Sequence, residues 1–286
     1  MRILIILLLT AVLFVASRFS PSAANAAQQS DAATHNQRGY EFHMRRCLDD
    51  ASREYAETLK LEPPRELTTE EWALVQRFAP RAFTTSTEFF GLKDFAAVLH
   101  PTERLIAYHF FWEDDIDFPE DNDPCDHEVV WVQFSADRKN LEQVWTYFHG
   151  NILAGGEAAL EDARLHQMRP RINVQWGKHG SLLAGWEEMT VKSETGQSRS
   201  LKSYNEDTFH ALSKSRRLAE HPIGVRLGWP LKFNGSWDDF TNFSRLVDTR
   251  QWLTKHKLGL VSRWNNATIN QYFLPYNFRP KTEWPR

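Results

Sequence analysis

The sequence predicts a mainly β protein of the α+β class, with antiparallel strands, N-terminal helices and helical insertions. Two pairs of segments carry the β prediction: residues 94–99 with 104–112, and residues 129–134 with 141–148. Each segment is rich in aromatic and β-branched residues, and a short polar turn separates the members of each pair, as in hairpins. The chain also has 11 Trp and 19 Phe residues, which suit sheets with packed aromatic side chains.

Two helices are predicted ahead of these strands. Residues 40–59 carry apolar side chains at three- and four-residue spacing, which indicates an amphipathic helix. A second helix begins at a capping box formed by Thr68 and Glu71, and it ends before Pro80. Three later segments have weaker helical patterns, and they cover residues 157–167, 207–219 and 248–256.

An apolar run at the start of the chain predicts export. Residues 3–15 are apolar, they follow Arg2, and Ala24-Asn25-Ala26 fits the small-x-small cleavage pattern. We therefore expect residues 1–26 to be a signal peptide and the mature protein to be secreted or periplasmic. The run is shorter than the roughly 20 residues of a membrane span, so no integral span is predicted after cleavage. An uncleaved anchor is the alternative.

The remaining chain is predicted to form one domain. Residues 27–39 are small and polar, which indicates a flexible lead-in. Residues 40–286 are long enough for a single large domain, with a helical extension over 40–80 and an aromatic tail that begins near Tyr272. The formal net charge is -3, and the predicted signal peptide carries two arginines and no acid. This acidity argues against nucleic-acid binding, which requires a basic face.

An acidic run follows the 104–112 segment and leads into Asp126-His127-Glu128. Such crowded carboxylates repel one another unless water solvates them or a hard divalent cation, which prefers several oxygen ligands, neutralises them. Asp126 and Glu128 are two residues apart, so on a strand they share one face at a spacing of about 7 Å. The run predicts a calcium or magnesium site, and a solvated acidic loop is the alternative.

Two histidine–glycine pairs, His149-Gly150 and His179-Gly180, each follow a predicted strand. Each histidine could therefore return to the same end of a sheet as the acidic run. Imidazole can act there as a ligand or as a base, and Lys178 beside the second pair could hold an anion. His149, Lys178 and His179 are the predicted ligand-binding residues, and the two histidines are the candidate catalytic residues. Ordinary turn histidines are the alternative.

Cys47 and Cys125 are the only cysteines in the chain. An even pair in an exported protein favours a disulfide, and this bond would tie the N-terminal helix to the acidic run. Two free thiols are the alternative. Neither cysteine has a nearby cysteine partner, so the spacing does not indicate a zinc thiolate site.

The order of these features resembles the NPP1-type necrosis-inducing proteins and the proteins related to vacuolar protein sorting protein 62. The shared order is a strand with an acidic end, then Asp126-x-Glu128 opening an aliphatic strand, then strands that end in His-Gly, over about residues 104–182. The family's Gly-His-Arg-His-Asp-Trp-Glu motif falls on residues 122–128, where only the Asp and the Glu match. The resemblance implies an antiparallel β-sandwich.

The same resemblance also implies a set of cation ligands. Asp126 and Glu128 would bind the cation, with Asp123 at the position of a motif histidine. An upstream ligand would come from Asp114, Asp115 or Asp117. The cytolytic activity of the family is not implied, since most of the heptapeptide differs here and fold alone does not give function.

Two functions of different classes agree with these features. The first is an exported cation-binding protein that recognises a polar small molecule, a glycan or a lipid head group without performing chemistry. The second is a metal-dependent hydrolase in which His149 or His179 moves protons. Recognition is preferred because the predicted ligands are oxygens, which suit calcium or magnesium, and because the sequence has no nucleophile motif.

Overall fold

A computed structural model of the chain describes residues 23–116, 126–192, 196–229, 237–273 and 279–285. The fold is 42% helix and 27% strand, with several open sheets. The α+β class is therefore confirmed. Helix exceeds strand, however, so the expectation of a mainly β chain is not met. None of the described helices is long and apolar enough to cross a membrane.

Thirteen strands lie in the described ranges. They are β1 (Arg65–Glu66), β2 (Arg81–Thr84), β3 (Leu92–Leu99), β4 (Leu105–Trp112), β5 (Asp126–Phe134), β6 (Leu141–Phe148), β7 (Asn151–Ala154), β8 (Arg171–Val174), β9 (Ser181–Leu183), β10 (Thr190–Lys192), β11 (Ser198–Ser200), β12 (Arg245–Asp248) and β13 (Gly259–Val261). Both predicted hairpins are present as the antiparallel pairs β3–β4 and β5–β6.

Ten α-helices lie in the described ranges. They are α1 (Ala23–Met44), α2 (Leu48–Leu61), α3 (Thr69–Phe78), α4 (Glu157–Leu165), α5 (Leu201–Ser213), α6 (Arg216–Glu220), α7 (Pro222–Leu227), α8 (Trp237–Thr241), α9 (Thr249–His256) and α10 (Asn265–Thr268). A 3-10 turn covers Trp186–Glu188, and a π-helical turn over Ile269–Phe273 continues α10. The predicted capping box is present, because Thr68 accepts from the Glu71 N–H while the Glu71 carboxylate accepts from the Thr68 N–H.

The strands form a seven-stranded sheet in the order β1-β13-β3-β4-β5-β6-β7, a four-stranded sheet in the order β12-β2-β8-β9, and the β10–β11 ribbon. All pairs are antiparallel except β13–β3 and β2–β8. The seven-stranded and four-stranded sheets contribute to one apolar core, in which Phe110 and Val130 of the first accompany Ile172 and Leu183 of the second. This shared core fixes the β8–β9 hairpin close to β4 and β5.

The other face of the seven-stranded sheet is also covered. A second apolar cluster joins Phe111, Val129 and Trp131 of the sheet to Ile269, and Trp284 packs against it. Every residue of β4 is therefore buried, which explains why its sequence is apolar at consecutive positions rather than alternating.

The N-terminal helices form an antiparallel hairpin. The predicted single helix over 40–59 is interrupted at Arg46, whose φ is 59°, and α2 returns along α1. The predicted flexible lead-in, 27–39, is helical because it packs against α2: Gly39 lies against the Tyr55 ring, and the His35 ring nitrogen lies 2.6 Å from the Glu54 carboxylate. The predicted cleavage point after Ala26 falls in the first turns of α1.

Cys47 lies at the turn of this hairpin and is exposed. It forms no disulfide with any residue that the structure describes. Its predicted partner, Cys125, lies outside the described residues, so the disulfide remains a prediction. Mass spectrometry without reduction checks it: one bridged peptide is expected, and two alkylatable thiols in the native protein would contradict it.

A buried histidine makes the α1–α2 hairpin sensitive to acid. His43 is fully buried, its ring nitrogen lies 3.3 Å from the Tyr55 hydroxyl, and burial lowers its pKa to about 4. The unfolded chain binds this proton near pH 6.5, so the stability that neutral His43 contributes is lost as the pH falls below that value. Between pH 7 and pH 5 this single group should cost about 2 kcal/mol.

The measurement is urea unfolding of the wild type and of His43→Leu at pH 7 and pH 5. Other titrating groups cancel in the comparison, so the wild type should lose about 2 kcal/mol more than the variant on acidification. Parallel losses in the two proteins would show that the pKa of His43 is the same in the folded and the unfolded state.

Candidate functional site

The candidate site lies where β4 ends and β5 begins. Trp112, the last residue of β4, pairs with Asp126, the first residue of β5, and Phe110 pairs with Glu128. Asp126 and Glu128 therefore lie two positions apart on one strand, as predicted. His127, between them, contacts His109 and Phe111.

The β8–β9 turn brings His179 to this strand end. Gly177 has a φ of 65° and His179 has a φ of 54°, so both adopt the left-handed conformation that favours glycine. A Cβ at position 177 would lie 2.1 Å from the Ile116 side chain, so any other residue would displace Ile116 and strain the positive φ. The Ile116 N–H donates to the Gly177 carbonyl at 2.8 Å, which attaches the start of the acidic run to the turn.

His179 is the centre of the site. Its imidazole is fully buried, with Nδ1 at 2.8 Å from Asp126 Oδ2 and Nε2 at 3.5 Å from Glu88 Oε1. The indole of Trp112 stacks on the imidazole with 4.5 Å between ring centroids and 7° between planes. The ring thus has a carboxylate near each nitrogen and an aromatic face against it.

Glu88 contacts the backbone of the β8–β9 turn as well as the ring of His179. Its Oε2 accepts from the Gly177 N–H at 2.8 Å, and its Oε1 accepts from the Phe89 N–H at 2.8 Å. The Glu88 side chain is only 5% exposed. Because its oxygens are fixed by backbone donors, Glu88 acts as a positioned anion beside His179.

His179 and Asp126 stabilise each other's charged forms. Burial alone would lower the pKa of His179, but the hydrogen bond to Asp126 and the nearby Glu88 raise it to about 10. Burial would raise the pKa of Asp126, but the hydrogen bond and the charge of His179 hold it below its usual value. At neutral pH the site therefore contains a buried imidazolium between two carboxylates.

A second buried contact between an acidic and a basic side chain lies two residues further along β5, at Glu128. Lys281 Nζ is 3.5 Å from Glu128 Oε1, and both side chains are less than a tenth exposed. Burial raises the pKa of Glu128 to about 8, although the charge of Lys281 opposes this shift. We call Glu88, Asp126, Glu128, His179 and Lys281 the charged cluster.

One oxygen of the Glu128 carboxyl group is available to bind a cation. Its Oε2 is buried and accepts no hydrogen bond from any residue in the described part of the chain. A buried carboxylate oxygen without a donor is costly, whereas a cation would satisfy it and favour the ionised form. The donor set of Asp126 and Glu128 is oxygen, which calcium and magnesium prefer, so these residues fit such an ion.

The remaining predicted cation ligands are only partly described. Asp114 lies close enough to feel the charges of Asp126 and His179, and burial raises its pKa. Asp117 and Asp123 lie outside the described residues. Within the described ranges, no group of three His, Cys, Asp or Glu side chains is arranged around an ion position. A complete shell would therefore need oxygen ligands from 117–125, from the backbone or from a bound molecule.

The two predicted histidine turns meet at the β8–β9 connection. His149 has a φ of 43°, and its Nε2 lies 2.7 Å from Gln175 Oε1, which fixes it to the same turn that carries His179. Lys178 is half-buried within that turn. Both histidine turns therefore lie at the sheet end where Asp126 begins β5, but the sequence did not indicate the direct contact between Asp126 and His179.

Three residues of the site were missed by sequence reasoning. Glu88 lies in a connection without a motif, Trp112 was counted only as a strand aromatic, and Lys281 is 153 positions beyond Glu128. The only available signal was the aromatic tail that begins near Tyr272. No local pattern indicates which tail residue reaches the carboxylates.

A groove opens beside the charged cluster. It has a volume of about 460 Å³, and its lining includes Glu88 and Trp112 together with Arg245, Gln251 and Trp252. Glu88 and Trp112 also contact His179, so the groove and the cluster share two walls. Aromatic faces next to guanidinium, amide and carboxylate groups are a lining that suits a polar ligand.

No protein-family model matches this chain, and no curated protein is significantly similar to it. Among solved structures, the chain is similar to the crystal structure of Necrosis and Ethylene inducing Protein 2 from the causal agent of cocoa's Witches Broom disease. The match covers 61% of this chain and 93% of that chain, with 12% sequence identity and a TM-score of 0.30. The resemblance noted in the sequence is thus confirmed as a weak, partial one, and it assigns neither family membership nor activity.

Proposed function

We propose that this protein is an exported recognition protein that binds a calcium or magnesium ion through Asp126 and Glu128 and a polar ligand beside it. The buried Glu128 Oε2 without a donor is the observation that carries the proposal. Asp114, Asp117 and Asp123 are the proposed further ligands from the acidic run. The proposed setting is the outer side of the membrane, as the apolar run and the Ala24-Asn25-Ala26 pattern predict.

The proposed ligand site is the groove that shares Glu88 and Trp112 with the charged cluster. Trp252 offers an aromatic surface there, while Arg245 and Gln251 offer hydrogen bonds. Stacking on an aromatic face combined with such donors and acceptors favours a sugar over a lipid head group. His149 and Lys178 are proposed to act from the adjoining turn.

We also propose that the seven-stranded and four-stranded sheets are the two layers of the β-sandwich expected from the sequence. Their shared apolar core supports this arrangement. In such a sandwich the charged cluster occupies one end of the layers, which is where loops provide binding residues on many scaffolds.

Recognition is favoured over hydrolysis by the state of His179. A general base must have a ring nitrogen open to the substrate, whereas both nitrogens of the fully buried His179 face carboxylates, those of Asp126 and Glu88. His149 remains the better candidate for the hydrolase alternative. A screen of phosphoesters, carboxylesters and glycosides with calcium, magnesium or manganese tests it, and turnover that disappears in His149→Ala would favour hydrolysis.

The cation is tested by its effect on stability. At a free cation concentration about a hundredfold above Kd, the free energy of unfolding should rise by about 2.7 kcal/mol relative to chelator. Asp126→Asn combined with Glu128→Gln should abolish this gain, because the amides that replace the two carboxylates carry no charge. The measurement is urea unfolding with calcium, with magnesium and with chelator.

The matched control is Glu187→Gln combined with Glu188→Gln, which neutralises two carboxylates on an exposed turn. This protein should respond to the cation as the wild type does. If the wild type unfolds identically in cation and in chelator, the acidic run is only a solvated loop and the proposal fails.

A further inference from the structure

The segment 279–285, which we call the strap, is built into the body of the protein. The Glu283 carboxylate accepts from Asn36 Nδ2 at 3.0 Å and from the backbone N–H groups of Asn265 and Asn266. The Trp284 indole N–H donates to the Arg263 carbonyl at 2.6 Å. These contacts fix the strap against α1 and the start of α10.

The backbone contacts of the strap set the position of Lys281. Asn266 Nδ2 donates to the Lys281 carbonyl at 2.8 Å, which holds the backbone at that residue. The ammonium then lies 3.5 Å from Glu128 Oε1 and 4.4 Å above the Tyr147 ring. It is a buried monovalent cation that lies against the Glu128 carboxyl group and an aromatic face.

His179 beside Asp126 and Lys281 beside Glu128 each place a positive charge near the proposed ion. A buried ammonium and a divalent cation cannot share one carboxylate at low cost. Both carry positive charge, and within a few Å of each other in a poorly solvated site they repel strongly. The same carboxylate can be neutralised by either one. Occupancy by Lys281 should therefore oppose occupancy by the ion.

We propose that Lys281 is a tethered counter-ion that takes the cation's place at Glu128, and that cation binding displaces it and loosens the strap. This inference rests on the proposed cation site. Through the strap, ion binding is then coupled to exposure of the surface under residues 279–285. That surface includes the N-terminus of α10 and the indole N–H of Trp131, which donates to the Glu283 carbonyl at 3.3 Å.

The test is calorimetric titration of the full chain with calcium chloride and magnesium chloride. Coupling between two such events is typically worth a factor of 5 to 150, so Lys281→Met should tighten cation binding by about tenfold or more. Lys281→Arg, which keeps the charge, should bind close to wild type. Lys202→Met, on the exposed face of α5, is the matched control and should also bind as wild type.

Hydrogen exchange of the wild type gives a second readout that needs no substitution. If the cation displaces the strap, the backbone amides of Asn265 and Asn266 should exchange faster when cation is present. Equal cation affinity in the wild type and Lys281→Met, with unchanged exchange, would overturn the inference while leaving the cation site intact. Failure of both proteins to bind either cation would overturn the inference and the proposed function together.

Discussion

Replacing His179 with alanine should lower the free energy of unfolding by about 3–5 kcal/mol. The imidazolium lies between Asp126 and Glu88 and is fully buried, so its removal leaves two carboxylates without their counter-charge. Breaking a buried ion pair from one side costs more than the pair itself contributes, because the remaining charge stays desolvated. The stacking contact with Trp112 is lost as well.

The matched control is His149→Ala. His149 and His179 both adopt a left-handed backbone, so the two alanine variants share that conformational penalty. His149 hydrogen-bonds to the neutral amide of Gln175, and losing that bond should cost about 0.5–1.5 kcal/mol, apart from the ring contacts with Phe148 and Tyr204. Urea unfolding in chelator at pH 7 makes the comparison free of cation effects. Equal losses in both variants would mean that the charges around His179 contribute nothing.

The elements around this site could be predicted because each carries its own local signal. Hairpins β3–β4 and β5–β6 follow from aromatic and β-branched segments separated by polar turns. The start of α3 follows from the capping box of Thr68 and Glu71. The turn at His179 follows from its flanking glycines, and the structure gives Gly177 a positive φ.

The partners of the predicted carboxylates could not be predicted in the same way. Which residue faces Asp126 depends on how the β8–β9 hairpin packs on the larger sheet, and that follows from the shared core rather than from any motif. The lead-in over 27–39 shows the same limit. Its composition is polar, yet it is helical because α2 supplies partners such as Glu54 for His35. Tertiary contacts here override local composition.

The second large effect is expected at Glu283. The N-terminus of α10 has no cap from its own sequence, since the residue before it is Trp264, whose side chain makes no capping bond. The Glu283 carboxylate supplies the cap from the strap by accepting from the N–H groups of Asn265 and Asn266. A carboxylate at this position also interacts favourably with the helix dipole.

Glu283→Ala should therefore lower the free energy of unfolding by about 3 kcal/mol or more, because each buried donor left without an acceptor costs about 1–3 kcal/mol. Glu283→Gln, which keeps one carbonyl oxygen, should cost less. The measurement is urea unfolding at pH 8, above the pKa of about 7 to which burial raises this carboxyl, so that the wild type carries the charge. Glu188→Ala, on the surface, is the reference and should change stability by no more than about 0.5 kcal/mol. A Glu283→Ala protein as stable as this reference would mean that the strap does not cap α10, and the anchoring of Lys281 would then lack its main support.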